Sequence, residues 1–286
     1  MPEKMAIELG DVQKTLFLPL WGRAIETAKA HPRLVDTTAV AIMQAVEVDF
    51  ASIAKNVSEM SQVAWITRCL IIDEAIRAYL DHSPEGTIVN IGCGLDTTFE
   101  RVDNGRLRWV DLDLPDVIAL RHKFFQESER RKFIAASFLE QDWLDSLNGS
   151  QPVLFFAAGV LYYFDEQVVR QFLIRLAKRF PGSQLLMDVC SPFCKMMANR
   201  MVIKRTGLDE RSYLKWGLRS PRTLTGWDSR LRLLSTQTFF GKGARLLSPS
   251  IRPVGWVADL LQSQYMLHLE FGGSQKREGR RMNDEL

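Results

Sequence analysis

The 286-residue chain lacks any apolar run approaching the roughly 18 residues that span a bilayer. It also lacks, at its start, the basic segment followed by an apolar one that marks a secretory leader, so a cytoplasmic protein without a membrane partner is expected. Neither charge sign is in excess. Thirty-seven basic and 34 acidic residues leave a net charge of +3, too little to imply nucleic acid. The four cysteines, Cys69, Cys93, Cys190 and Cys194, have no zinc-site or disulfide-framework spacing, which predicts reduced thiols and no metal. Histidine is scarce, and none of His31, His82, His122 and His268 sits in an obvious substrate-facing motif. What remains is a globular composition, 46% hydrophobic and 25% charged, long enough for one large or two small domains.

A third glycine is also missing, and its absence is informative. In Thr87-Ile88-Val89-Asn90-Ile91-Gly92-Cys93-Gly94-Leu95-Asp96-Thr97-Thr98 a short apolar strand runs into a Gly-x-Gly turn and then a segment able to start a helix. This is how a nucleotide-binding α/β half opens. Dinucleotide-binding turns carry a further glycine where this chain has Thr97, so a nicotinamide-dependent dehydrogenase is disfavoured. S-adenosylmethionine has no phosphate and needs that glycine less. A tight turn with no ligand is the competing account of the glycines alone.

The next strand bears on the choice. Leu107-Arg108-Trp109-Val110-Asp111-Leu112-Asp113-Leu114-Pro115 is an apolar run ending in two acids, with Asp111 19 residues after Gly92. At that spacing an acid at a strand tip meets a ribose hydroxyl pair, which a carboxylate accepts well. Either acid could instead cap the helix that follows.

The Gly-x-Gly-x-Asp-Thr-Thr run, together with Trp109-Val110-Asp111-Leu112-Asp113-Leu114-Pro115-Asp116-Val117-Ile118, resembles the leucine carboxyl methyltransferase family. Within it the chain is most similar to the bacterial polyketide O-methyltransferase branch, the tetracenomycin type. The resemblance runs from about residue 12 to 273 and weakens after Pro192. It implies a class I S-adenosylmethionine-dependent methyltransferase fold, and the strand count agrees: seven strands with helices between them, the last pair antiparallel. Residues 1–85 read as an N-terminal helical cap, 86–273 as the methyltransferase domain with a lid-like insertion at 191–232, and 274–286 as a disordered tail. Helices are expected at about 16–25, 40–48, 63–80, 116–130 and 166–180, and a third strand at 132–139.

The resemblance also implies cofactor-binding residues. Arg68 falls where the family's carboxylate-gripping arginine lies. It also sits along an apolar stripe of Trp65, Cys69, Ile72, Ile76 and Leu80, where it would either need a partner or snorkel from the edge. Lys14 falls where the family's first helix closes over the cofactor, although a solvated lysine fits equally. Gly92, Gly94, Asp111 and Asp113 line the turn and ribose. Ser137 and Phe138 fall at the adenine, though a core phenylalanine accounts for Phe138 as well, and Asp142 is a further adenine candidate. At Ala158-Gly159 the family commonly has a glutamate before the glycine, holding the methionine end; this chain has alanine.

No residue stands out as a general base; Tyr162 and His268 are the weak candidates. Methyl transfer from a sulfonium needs mainly alignment, and a carboxylate acceptor is already ionised at neutral pH. The expected activity is O-methylation of a carboxylate, or a phenol, on a small polyketide-like molecule. The basic and Met- and Trp-rich stretch 191–232 would either cover that acceptor or form a solvated helical segment. The competing reading, motivated by Ala158, is a methyltransferase-fold binding or regulatory protein that has lost catalysis.

Overall fold

The computed structural model describes residues 16–51, 55, 57–147, 151–203 and 213–272. Lys14, the stretch 204–212 within the expected lid and the expected tail 274–286 lie outside them.

Among the described residues, the helices α1 (Phe17–Thr27), α2 (Thr37–Ala45) and α3 (Glu59–His82) precede the sheet. The Asp36 carboxylate caps α2 through the Ala39 amide, and the Ser58 hydroxyl caps α3 through Ser61. Pro84 follows α3 and prevents its continuation. α1 and α2 share a core of Phe17, Leu20, Ala24, Ala39, Ile42 and Val46, which also takes in Leu95 from the glycine turn.

The sheet has seven strands: β1 (Thr87–Ile91), β2 (Arg108–Asp113), β3 (Arg131–Ala135), β4 (Val153–Ala157), β5 (Gln184–Cys190), β6 (Leu231–Thr238) and β7 (Gln264–Phe271). Their order is β3-β2-β1-β4-β5-β7-β6, with β7 antiparallel to both neighbours and the other pairings parallel. The central strands are apolar on both faces because helices cover both. On one face Ile88, Trp109, Leu154, Phe156 and Leu186 pack with Ile72, Ile76 and Leu80 of α3. On the other, Val89, Phe155, Leu185 and Leu267 pack with Val169, Phe172, Leu173 and Leu176 of α7 (Glu166–Arg179). Each such fully buried side chain contributes about 1.5–3 kcal/mol of hydrophobic stabilisation.

Short helices complete the strand connections: α4 (Thr98–Val102), α5 (Pro115–Arg121) and α6 (Asp142–Asp145). α5 stops well before residue 130. Its last residue, Arg121, turns its guanidinium into the interior, where the Phe125 ring lies 4.3 Å away. The charged stretch after it, 127–132, is not helical and is mostly exposed. Glu127 accepts the Phe133 amide along the outer strand β3, and Arg131 is buried. β3 itself ends at Ala135; beyond it the Ser137 amide donates to the Glu140 carboxylate and the Trp143 indole donates to the Phe138 carbonyl.

After β5 come α8 (Pro192–Met197), a π turn (Ala198–Ile203), α9 (Arg222–Thr225), α10 (Phe239–Lys242) and α11 (Arg252–Leu260). The part of 191–232 from residue 213 onward sends some of its side chains into the core and leaves others exposed. Trp216, Leu218 and Leu224 join the sheet core, and the Leu218 amide donates to the Cys190 carbonyl.

Candidate functional site

Parallel α/β sheets bind ligands outside the carboxyl ends of their strands, at the point where the strand order reverses. Here that point lies between β1 and β4. Gly92 leaves β1 with φ +67°, and the Gly92 and Cys93 amides both donate to the Leu112 carbonyl. A Cβ on Gly92 would lie 2.4 Å from the Val160 side chain, so the glycine is needed for packing as well as for backbone conformation. The Gly94 amide donates to the Asp113 carboxylate at 2.7 Å, which places the last residue of β2 directly on the turn.

Asp113 is therefore the acid at the strand tip, and the expected role of Asp111 is corrected. Asp111 is fully buried and its carboxylate is enclosed. It pairs with Arg121 at 2.9 Å and Arg131 at 3.0 Å, and accepts from the Trp109 indole and the Asn90 amide. Arg121 in turn donates to the carbonyls of Gly94 and Asp96. Asp111 thus props the glycine turn through Arg121 and has no path to a ligand. Burial raises the Asp113 pKa from its ordinary value, against the opposing bonds from the Gly94 and Leu114 amides.

The rest of the motif has a structural task that the sequence did not disclose. Thr97 donates to Asp36, and Asp36 also pairs with Arg23 at 2.8 Å. Arg101 binds Asp73 through two nitrogens at 2.8 and 2.9 Å and reaches Asp36, Thr97 and Thr98. Asp96 holds the Thr98 amide and hydroxyl. Burial opposes its ionisation, but Arg101 and Arg23 outweigh this and lower its pKa. This buried network fastens the turn to α1, α2 and α3. A cavity of about 350 Å³ on its outer side, lined by Arg33, Asp73, Arg77 and Glu100 among others, holds none of the expected site residues.

Arg68 lies beside Gly159. It is buried, and its Nη1 pairs with Asp188 of β5 at 2.8 Å. The other Asp188 oxygen accepts the Gly159 amide at 2.7 Å. Gly159 has φ +80°, and a Cβ there would lie 3.0 Å from Arg68 Nη1 and 3.3 Å from the Tyr162 hydroxyl. Burial alone would lower the Arg68 pKa; the Asp188 carboxylate reverses this and keeps the cation charged. Sequence reasoning missed Asp188. Its signal was a single acid inside Leu185-Leu186-Met187-Asp188-Val189-Cys190. Ala158 sits at the end of β4, half-buried against the α3 side of the core.

Ser137 lies two residues beyond β3, and its hydroxyl accepts the Leu139 amide. Phe138 is a core side chain in T-shaped contact with Phe164 and Phe172, with ring centroids 4.7 and 4.8 Å away. Asp142 is exposed at the start of α6.

Neither weak base candidate is suited to that task. Burial, reinforced by Asp188, pushes the Tyr162 phenol well above its ordinary pKa, and burial pushes Tyr163 up to about 12. His268 lies opposite Leu186 and bonds Gln184, the first residue of β5, so it sits towards the end of the strand remote from Arg68 and Gly159. All four cysteines are free thiols. No helix among the described residues is long and apolar enough to cross a membrane.

The family described as leucine carboxyl methyltransferase matches residues 17–177. The chain belongs to that family. Family membership makes it an S-adenosylmethionine-dependent methyltransferase with the class I fold, and the strand order given above is that of the expected sheet. The tetracenomycin polyketide synthesis O-methyltransferase TcmP of Streptomyces glaucescens is 30% identical over 220 residues, covering 76% of this chain and 79% of that one. The S-adenosyl-L-methionine-dependent methyltransferase dpfgK of Gibberella zeae is 26% identical over 196 residues, 63% and 65% of the two chains. A DUF574 family protein from Streptomyces avermitilis shares the fold, with a TM-score of 0.56 at 14% identity over 87% of this chain and 96% of that one. The leucine carboxyl methyltransferase match ends within α7, so the segment after β5 belongs to the part of the chain where the resemblance is weak.

Proposed function

We propose that the protein methylates an oxygen of a small, polyketide-like acceptor, a carboxylate or an acidic phenol. Arg68 grips the methionine carboxylate of the cofactor, Asp113 accepts from the ribose hydroxyls, the Gly92–Gly94 turn lies along the nucleoside, and Ser137 borders the base. The residues present fit the group: a buried cation for its carboxylate, an acid at the turn for its ribose, and a glycine at 159 where any side chain would strike Arg68.

Bound S-adenosylmethionine supplies a methyl group on a sulfonium, an activated leaving group. The protein's part is to hold donor and acceptor in line, and positioning of this kind is worth roughly 7–11 kcal/mol. Tyr162 stands beside Gly159 with its phenol held protonated, so it can donate a hydrogen bond to an acceptor oxygen but does not draw off a proton at neutral pH. That observation carries the reading. With no described side chain poised as a base at the site, an acceptor that arrives ionised, as a carboxylate does, suits it best. TcmP, an O-methyltransferase of polyketide synthesis, supports the same class of acceptor. The binding-only alternative rested on Ala158, and Asp188 provides a carboxylate beside that position.

The test is to incubate the enzyme with methyl-labelled cofactor and a panel of aromatic and polyketide acids and phenols. A methyl ester releases volatile label as methanol on brief alkaline treatment, whereas an ether does not. The expected product is alkali-labile, formed at a rate that does not rise between about pH 6 and 8. An alkali-stable product with a rate that climbs through that interval would sink the carboxylate assignment.

A further inference from the structure

We propose that Asp188 receives the ammonium group of the cofactor's methionyl end, so that Arg68 and Asp188 together read an amino-acid zwitterion. This rests on the assignment of S-adenosylmethionine to this site.

Asp188 interrupts an apolar run, and a carboxylate in such a place needs partners because an isolated buried charge is costly. It has two, one on each oxygen: Arg68 Nη1 and the Gly159 amide. A carboxylate offers about four acceptor positions, so half of its capacity remains for another donor. Arg68 is in the mirror situation. Its guanidinium carries five N–H donors in a fork suited to a carboxylate. Among the described residues it makes one side-chain hydrogen bond, the one to Asp188. The pair is thus a cation with spare donors beside an anion with spare acceptors, both fixed by α3 and β5 and both against the Gly159 backbone.

An α-amino acid carries the complementary set on one carbon, a carboxylate next to an ammonium. Placing a neutral zwitterion against this pair adds two ionic contacts without burying net charge, which avoids the desolvation penalty of burying one ion alone. The sheet register explains why the carboxylate stands on β5. The last β4–β5 pair is Ala157 with Met187, and the next residues along the two chains are Ala158 and Asp188, with the Gly159 amide bonded to Asp188. A carboxylate at 158 and one at 188 would compete for the same space. The alanine methyl leaves that space to Asp188.

The experiment is calorimetric titration of the full chain with S-adenosylhomocysteine, with its deaminated analogue, and with 5′-methylthioadenosine, which has no amino-acid end. The wild type should bind S-adenosylhomocysteine at least tenfold more tightly than the deaminated analogue. Asp188→Asn should lose at least tenfold towards S-adenosylhomocysteine, show little difference between it and the deaminated analogue, and bind 5′-methylthioadenosine as before. Adding Ala158→Glu to Asp188→Asn should restore most of the lost affinity by moving the carboxylate one strand over. Equal losses for all three ligands would mean that Asp188 only supports the fold, and unchanged binding would mean that it does not touch the ligand; either overturns the proposal. If Asp188→Asn does not fold, the wild-type comparison decides, and equal affinity for the amino and deaminated ligands overturns it. Failure of the wild type to bind S-adenosylhomocysteine at all would instead remove the cofactor assignment, and this inference with it.

Discussion

Thr97 donates its hydroxyl to the carboxylate of Asp36, 61 residues earlier in the chain. The position that holds a glycine in dinucleotide-binding turns thus serves here as a clasp between the cofactor turn and the helices before the sheet.

Thr97→Gly would complete a Gly-x-Gly-x-x-Gly pattern, yet it should not create a dinucleotide site. It removes one donor from a buried carboxylate, a change that costs about 1–3 kcal/mol. The expected result is a lower urea midpoint and no saturable NADH binding by calorimetry. Tight NADH binding by the variant would show that the threonine alone had excluded the dinucleotide.

The two acids of β2 should behave differently. Asp111→Asn breaks a buried pairing with Arg121 and Arg131 and should cost on the order of 3–5 kcal/mol of stability. Asp113→Asn should leave stability nearly intact and weaken S-adenosylhomocysteine binding at least tenfold. Denaturation and titration of both variants check this, and a reversed pattern would return the ribose role to Asp111.

Arg68→Ala should weaken cofactor binding by roughly 2–5 kcal/mol, the usual cost of truncating one partner of a buried charge pair. It also strips Asp188 of its cation, so the melting temperature should fall along with the affinity. Arg68→Lys, which keeps the charge but not the fork, should recover part of both.

Gly92→Ala combines two faults: a Cβ 2.4 Å from the Val160 side chain and a positive φ. Adding Val160→Ala relieves the first and leaves the second, worth about 1–2 kcal/mol. The double variant should therefore regain part, but not all, of the stability lost by Gly92→Ala. Full recovery in a denaturant titration would mean that the backbone conformation costs nothing.

His268 contributes to the acid limb of stability. Burial depresses its pKa below the ordinary value of 6.5, against a smaller opposing pull from Glu270. The folded state binds this proton less readily than the unfolded chain. The stabilising contribution is therefore complete above about pH 6.5 and is lost as the pH falls from there through the folded pKa. His268→Gln, which can still bond Gln184, should flatten the stability profile below pH 6.5.

Much of this was legible in the chain. The strand running into Gly92-Cys93-Gly94, and Leu114-Pro115 closing the next strand, fixed the cofactor end of the sheet, and the seven strands followed from apolar runs bounded by turn residues. The choice between Asp111 and Asp113 was not legible from spacing. Both lie on one face of a strand by its period of two, and depth along that strand decides which one reaches the turn. Nor was Asp188, because an acid in a buried strand declares its function only through a partner, and Arg68 lies 120 residues away. Helix α5 came out too long because Phe124 and Phe125 continue a helical apolar rhythm, while the pull of Asp111 on Arg121 depends on tertiary structure.

The Arg101 network bears on how the molecule comes apart. Arg101 joins Asp36, Asp73 and Thr97, drawing together three stretches of chain around one buried guanidinium. Cutting the chain ahead of Glu59 would take Asp36 away and leave Arg101 and Thr97 facing a gap at the base of the glycine turn. The sheet without those helices should therefore not behave as a separable core. Cap and sheet should melt together, and the amides of α1 and β1 should exchange with solvent through the same global opening.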